Sequence, residues 1–199
     1  RAAKCRQCSW PQWKPGEDMG DLSGYRRLAF AIRLWAKLEI ADNGYEGAVV
    51  ALQTGYGISR HLGQAPTIMQ GLVGAAIGEM MCTEVEEFVQ GEDAPNLYVS
   101  LSSLPRPFVE MENAIAAERR VAGSQETFQG QLDAAQERCR MIAKRLERGL
   151  AALQCVEAIR SYAASHSGKL PKALADITEV SVPTDPLHDR PFQYSLTGS

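Results

Sequence analysis

Cys5 and Cys8 form a Cys-x-x-Cys pair in a chain with five cysteines, the others being Cys82, Cys139 and Cys155. Paired thiols at this spacing can hold zinc, attach haem or run thiol–disulfide exchange. Zinc wants a second pair of ligands, and neither another Cys-x-x-Cys nor a His-x-x-x-His follows. Haem attachment wants His after the second cysteine, where this chain has Ser9. Redox exchange wants a strand running into a helix, whereas Trp10-Pro11-Gln12-Trp13-Lys14-Pro15-Gly16 reads as irregular chain. A local disulfide between Cys5 and Cys8, or two unrelated thiols, are the readings left open. Cys82, Cys139 and Cys155 lie in apolar helical stretches and read as core.

The histidines are His61, His166 and His188. His61 and His166 fall at predicted helix C-termini, where a cation meets the negative end of the helix dipole. His188 lies between Asp185 and Asp189 in a proline-rich turn. Those residue types could bind a metal or ligand or form an acid–base pair, although Asp before Pro is also ordinary turn chemistry. No Gly-x-Ser-x-Gly, His-Glu-x-x-His, phosphate-binding glycine loop or dinucleotide-binding glycine signature occurs. Glu79, Glu84, Glu86 and Glu87 suggest a carboxylate metal site in a helical bundle, but that site wants Glu-x-x-His and no such histidine follows. They read as a solvated acidic face. Arg138, Arg140, Lys144, Arg145 and Arg148 form an opposing basic patch. The two faces could pair within the chain or between copies, with membrane headgroups as the other candidate for the basic one. No catalytic residue, cofactor or metal ligand is assigned.

These residues sit in a chain of 199 residues with a formal net charge of −3, 45% hydrophobic and 23% charged, which is ordinary for a globular protein and excludes collagen, a disulfide miniprotein and wholesale disorder. The acidic balance argues against nucleic acid as partner. The most apolar stretch, 68–82, contains Gln70 and Glu79 and is shorter than the ~18 apolar residues that mark a membrane span. The chain begins at Arg1 rather than Met, which is compatible with a leader or anchor ahead of it, and the absence of one here says nothing about localisation.

Residues 1–23 carry Pro11, Pro15, Gly16 and Gly20 and read as an extended arm pinned by Trp10 and Trp13. Residues 24–166 read as a helical domain. In 25–41, Leu28, Ala31, Ile32, Trp35 and Leu38 recur at helical spacing, widened by Phe30 and Leu34, which predicts a largely buried helix. Asp42-Asn43-Gly44 ends it. A second helix covers 45–62 and a third runs from Pro66-Thr67 to about Gln90. Gly71, Gly74 and Gly78 weaken the third helix's propensity and are expected to mark close helix contacts. Shorter helices are predicted over 96–104 and 108–121, then one long helix over 126–166, or two broken near Gly149. From 167 to 199 the residues change to turn and short-strand chemistry.

Two stretches resemble known families. Ala36 to Leu52 resembles the tetratricopeptide repeat (TPR): Ala36 and Ala48 at the helix crossover, Gly44 in the turn and Tyr45 as the aromatic plug. An ordinary antiparallel hairpin accounts for the same residues. The run A-I-R-S-Y-A-A-S-H-S-G-K-L-P-K-A-L-A-D-I followed by V-P-T-D-P-L-H-D-R-P-F-Q-Y resembles the globular head of type II secretion pseudopilins. Tyr162, Gly168, Leu170, Pro171, Leu174, Pro183, Asp185, Pro186, Pro191, Phe192 and Tyr194 carry that likeness. The processing site and hydrophobic N-terminal helix of pseudopilins are missing, and this sequence stops at Ser199, ahead of the place where their calcium-binding loop would lie, so neither pilus assembly nor calcium ligands carry over. With Cys8, Trp10 and the phrase from Arg60 to Val73, the chain is similar to a set of bacterial envelope proteins generally expected to be anchored at their N-terminus.

The expectation is therefore a mainly α fold of antiparallel helical hairpins with TPR-like packing and a small α+β C-terminal appendage. The expected role is a non-catalytic protein-interaction or scaffold module of the bacterial envelope, on its periplasmic side, binding a protein or peptide or a second copy of itself. The alternative is an enzyme or a ligand- or metal-binding protein with its site at His188, Asp185 and Asp189. An enzyme should show a deep pocket with convergent polar groups, and a scaffold an exposed apolar groove or patch, with a groove between the helical hairpins as the expected seat of a peptide or partner helix.

Overall fold

The computed structural model describes Trp10 and residues 20–122 and 129–196. Cys5, Cys8 and Trp13, and with them the thiol pair, lie outside the described residues. The elements are α1 (Leu22–Ala41), α2 (Tyr45–Gly63), α3 (Ile68–Phe88), α4 (Tyr98–Ser102), α5 (Met111–Ala122) and α6 (Gln129–Ser165), then a 3-10 turn (Leu174–Asp176) and the strands β1 (Thr184–Asp185) and β2 (Arg190–Pro191). The fold is mainly α with one small antiparallel strand pair near the C-terminus.

Local chemistry sets most helix ends. The Asp21 carboxylate accepts from the Gly24 amide at 2.7 Å and opens α1. Asn43, at a positive φ of 56°, closes the turn between α1 and α2, and the Gly44 amide reaches Glu39 O at 2.7 Å. Thr67 Oγ1 accepts from the Gln70 amide, and the Glu118 carboxylate, arriving from α5, takes the Ile68 amide at 2.7 Å. Both satisfy free donors at the start of α3.

α1, α2 and α3 pack as successive hairpins, and α6 lies across α3. At the α2–α3 crossing Ser59 Oγ donates to Gly74 O at 2.6 Å, both groups buried. The core between these helices holds Phe88, Met81, Leu146 and Leu150. Tyr56 meets Phe108 edge to face at 5.8 Å, and Tyr45 meets Phe88 likewise at 5.3 Å. Ala36 and Ala48 are fully buried, as a close hairpin requires.

Several expectations need correction. α1 is not largely buried: Ala29, Ile32 and Ala36 face inward, while Phe30, Leu34 and Leu38 are 54%, 59% and 58% exposed. Apolar residues run round most of α1, and periodicity cannot say which arc meets the neighbouring helices. Glu84 is not on a solvated face but fully buried, because α1 brings two cations to it. Within the chain the acidic and basic faces do not pair as groups: Arg140 binds Glu112 and Glu137, and Arg148 binds Asp185. The helix expected over 96–104 shrinks to α4, and that expected from Phe108 starts at Met111, after a segment containing Pro105 and Pro107. α6 passes through Gly149 without a break.

Candidate functional site

The tail cluster is brought together, but as a fastening. Asp185 is buried, and its carboxylate accepts from the Leu187 amide at 2.9 Å and from Arg148 Nε of α6 at 2.9 Å, with His188 Nδ1 at 3.1 Å. Asp189 occupies the turn between β1 and β2 at a positive φ of 50°. Tyr98 Oη donates to Ser181 O at 2.5 Å and Tyr194 Oη to Pro171 O at 2.9 Å, so the tail is tied to the helical body and to itself. Among the described residues no group of three or more His, Cys, Asp and Glu is placed to hold a metal ion.

Burial opposes ionisation of Asp185, but the Leu187 amide, His188 and Arg148 together outweigh it and hold its carboxyl below the ordinary aspartate range. Its contribution to stability is therefore present above ~4 and lost as pH falls through the depressed value. Acidification should raise hydrogen exchange across 184–190 in that window, and Asp185→Asn should show the raised exchange at every pH. Equal protection in Asp185→Asn at neutral pH would show that this contact does not hold the tail.

The other histidines are end groups. Trp10 Nε1 donates to His61 O at 2.9 Å, tying Trp10 to the C-terminus of α2. His166 stacks on Tyr162 with ring centroids 3.8 Å apart and faces Glu179 at 3.3 Å. The described thiols are not poised for reaction. Burial pushes Cys82 up to about 12 despite the Tyr56 hydroxyl that donates to it, and burial likewise raises Cys139 and Cys155.

Two buried carboxylates tie distant elements together. Glu84 of α3 accepts from Arg33 Nε of α1 at 2.7 Å, with Lys37 Nζ at 3.7 Å. Glu157 of α6 accepts from the Leu97 amide at 3.0 Å and from Arg160 at 2.9 and 2.8 Å, while its backbone carbonyl takes Asn96 Nδ2. Burial raises the Glu157 carboxyl above its ordinary range, against the pull of Leu97 and Arg160. Both acids serve as ties between elements, Glu157 with both carboxylate oxygens bonded and Glu84 with its Oε2 left without a hydrogen-bond partner.

Two surface features are free of such roles. The first is the outward face of α1, where Leu28, Phe30, Leu34, Trp35 and Leu38 are all 39% exposed or more. Arg27, Ala31, Leu34, Leu38 and Ala41 recur along it at alternating steps of four and three residues, the spacing of a helix–helix seam. The second is a cleft of two lobes, of about 500 and 510 Å³, that meet at Arg60, Pro105 and Phe108. Residue types alone give no signal for Arg60, because nothing near it in sequence is charged in a recognisable pattern.

Compared with family models, with curated proteins and with solved structures, the chain gives no match. No helix among the described residues is long and apolar enough to cross a membrane.

Proposed function

We propose that the chain is a non-catalytic protein-interaction module of the bacterial cell envelope, and that it pairs with a second copy of itself through the outward face of α1. The observation that carries the reading is the exposed apolar face of that helix. Contiguous apolar surface in water is unfavourable by about 25 cal/mol per Å² and marks a surface that becomes covered. The envelope setting rests on the pseudopilin-like tail.

Charge says what covers the face. Arg26 and Arg27 stand at the N-terminal end of α1, while Glu39, Asp42 and Glu46 stand at the other end and at the start of α2. A parallel partner would set like charges side by side. An antiparallel α1 from a second copy sets the basic end of each against the acidic end of the other, in a two-fold contact. With Leu34 on the axis, Phe30 meets Leu38 of the second copy and Arg26 meets its Asp42. Ala31 and Ala41 on the same seam permit close approach.

Sedimentation of the purified chain should show a dimer. Leu34→Cys, with Cys5, Cys8 and Cys139 changed to serine, should cross-link to itself on mild oxidation. Leu34→Asp combined with Leu38→Asp should give a monomer of unchanged helix content. A dimer that survives those aspartates would overturn the α1 face as the docking surface. A monomer that binds a hydrophobic dye, with binding lost in the aspartate variant, would overturn the second copy as occupant and leave the face to an unlike partner.

A further inference from the structure

We infer that the cleft around Arg60 is a binding site for a small apolar carboxylic acid with a hydrogen-bond donor beside its carboxylate. This inference is independent of α1 pairing, since the cleft is built from α2, α3, α4, α5, α6 and the proline segment between α4 and α5.

One lobe is charged. Arg60, Arg106, Arg140 and Lys144 line it, together with Glu110, Glu112 and Glu147. Most of these groups already have partners. Arg106 binds Glu147 at 2.6 Å, and Glu147 also takes the Phe108 amide. Arg140 holds Glu112 through both carboxylate oxygens at 2.7 and 3.2 Å. Glu110 accepts from Asn113 Nδ2 at 2.5 Å. The Arg60 side chain has no salt bridge or hydrogen bond among the described residues. Its Nε and Gln64 Oε1, one helical turn along α2 and its cap, are buried polar atoms without a partner.

A buried donor and a buried acceptor left unpaired in one pocket are costly, so something must satisfy them. A ligand does both at once if it carries an anionic acceptor for Arg60 and a donor for Gln64. A carboxylate suits the Arg60 guanidinium. A doubly charged phosphate does not suit a lobe that holds three glutamates and the Gln64 carbonyl. Water alone would satisfy the two atoms but would not use the second lobe. That lobe is lined by Leu52, Tyr56, Val85, Leu101 and Phe108, with Ser100 and Ser103 among its polar residues. The Tyr56 hydroxyl is already turned to Cys82, which leaves the interior wall apolar. A cavity of this size and character takes an apolar tail, with the polar groups at one end fixing its orientation.

N-decanoylglycine is the matching probe: its carboxylate meets Arg60, its amide N–H meets Gln64 and its chain enters the apolar lobe. Calorimetric titration into the full chain, below the probe's aggregation concentration, should show saturable one-site binding. The uncharged N-decanoylglycine amide should bind at least tenfold more weakly. Arg60→Gln should lose the same tenfold without lowering the melting temperature, because the guanidinium it removes has no partner. Ser100→Phe, which fills the apolar lobe without touching Arg60, should abolish binding. No binding by the parent chain would overturn the site. Equal binding of the acid and its amide, or binding that survives either substitution, would overturn it as well; Ser100→Phe keeps the test decisive if Arg60→Gln does not fold.

Discussion

Gly74→Leu is expected to abolish the native fold, and Gly74→Ala to destabilise it by about 2 kcal/mol. A Cβ on Gly74 would stand 2.7 Å from Ser59 O, 2.8 Å from Gly63 N and 3.2 Å from Leu62 C. All three are backbone atoms of α2, so no flexible side chain can swing aside. The helices must separate, which typically costs about 1–3 kcal/mol for overpacking. Separation also stretches the buried bond from Ser59 to Gly74 O, with a net worth of about 1 kcal/mol. Against this, alanine gains about 1 kcal/mol of helix propensity. Gly149→Ala is the control. Its Cβ would meet only Cys82 Sγ at 3.8 Å, an ordinary contact, so the propensity gain stands alone and stability should rise by up to about 1 kcal/mol. Urea unfolding of the two alanine variants reads the difference directly. Equal shifts in the same direction would mean that the α2–α3 crossing has room to relax.

Arg33→Ala should cost about 3 kcal/mol, while Glu84→Gln, at the other end of the same contact, should cost about 1 kcal/mol or less. The asymmetry follows from where the charges sit. The Glu84 side chain is fully buried, and its Oε2 already lacks a hydrogen-bond partner. Removing Arg33 leaves a buried carboxylate with only Lys37, at 3.7 Å. Breaking a buried pair from that side is the expensive way, typically about 3–5 kcal/mol. Lys37 and nearby water moderate it. Removing the carboxylate instead leaves Arg33 and Lys37, whose side chains are 35% and 37% exposed and can hydrate. Lys37 also keeps Glu87 at 2.7 Å. The double variant Arg33→Ala/Glu84→Gln should therefore be more stable than Arg33→Ala alone, a coupling that a double-mutant cycle measures. Additive losses would show that the two residues do not act as a pair.

Much of the helical layout was legible in the residues. Asp21, Thr67 and the Asp42-Asn43-Gly44 turn mark helix ends through hydrogen bonds within a few residues. Gly74 and Gly78 were expected at close contacts, and a Cβ on either would clash across the crossing. The change to turn and strand chemistry after residue 166 matches the end of α6 at Ser165. Reading Asp185 and His188 as neighbours was also possible, because a tight turn brings them together.

The rest needed the assembled fold. Glu84 looks like its exposed neighbours Glu86 and Glu87 until α1 delivers Arg33 from 51 positions away. Glu157 gains its role only when residues 94–97 fold across α6. Arg60 becomes distinctive because the carboxylates that the surrounding elements bring to its cleft, Glu110, Glu112 and Glu147, are all bonded to other groups. Local hydrogen bonds act over a few residues, so the residues themselves marked the ends of the longer helices and their close contacts, though not the bounds of α4 or the start of α5. Burial of a charge, exposure of one apolar arc of α1 rather than another and the closing of a cleft are sums over distant segments, and only their packing in the tertiary structure decided them.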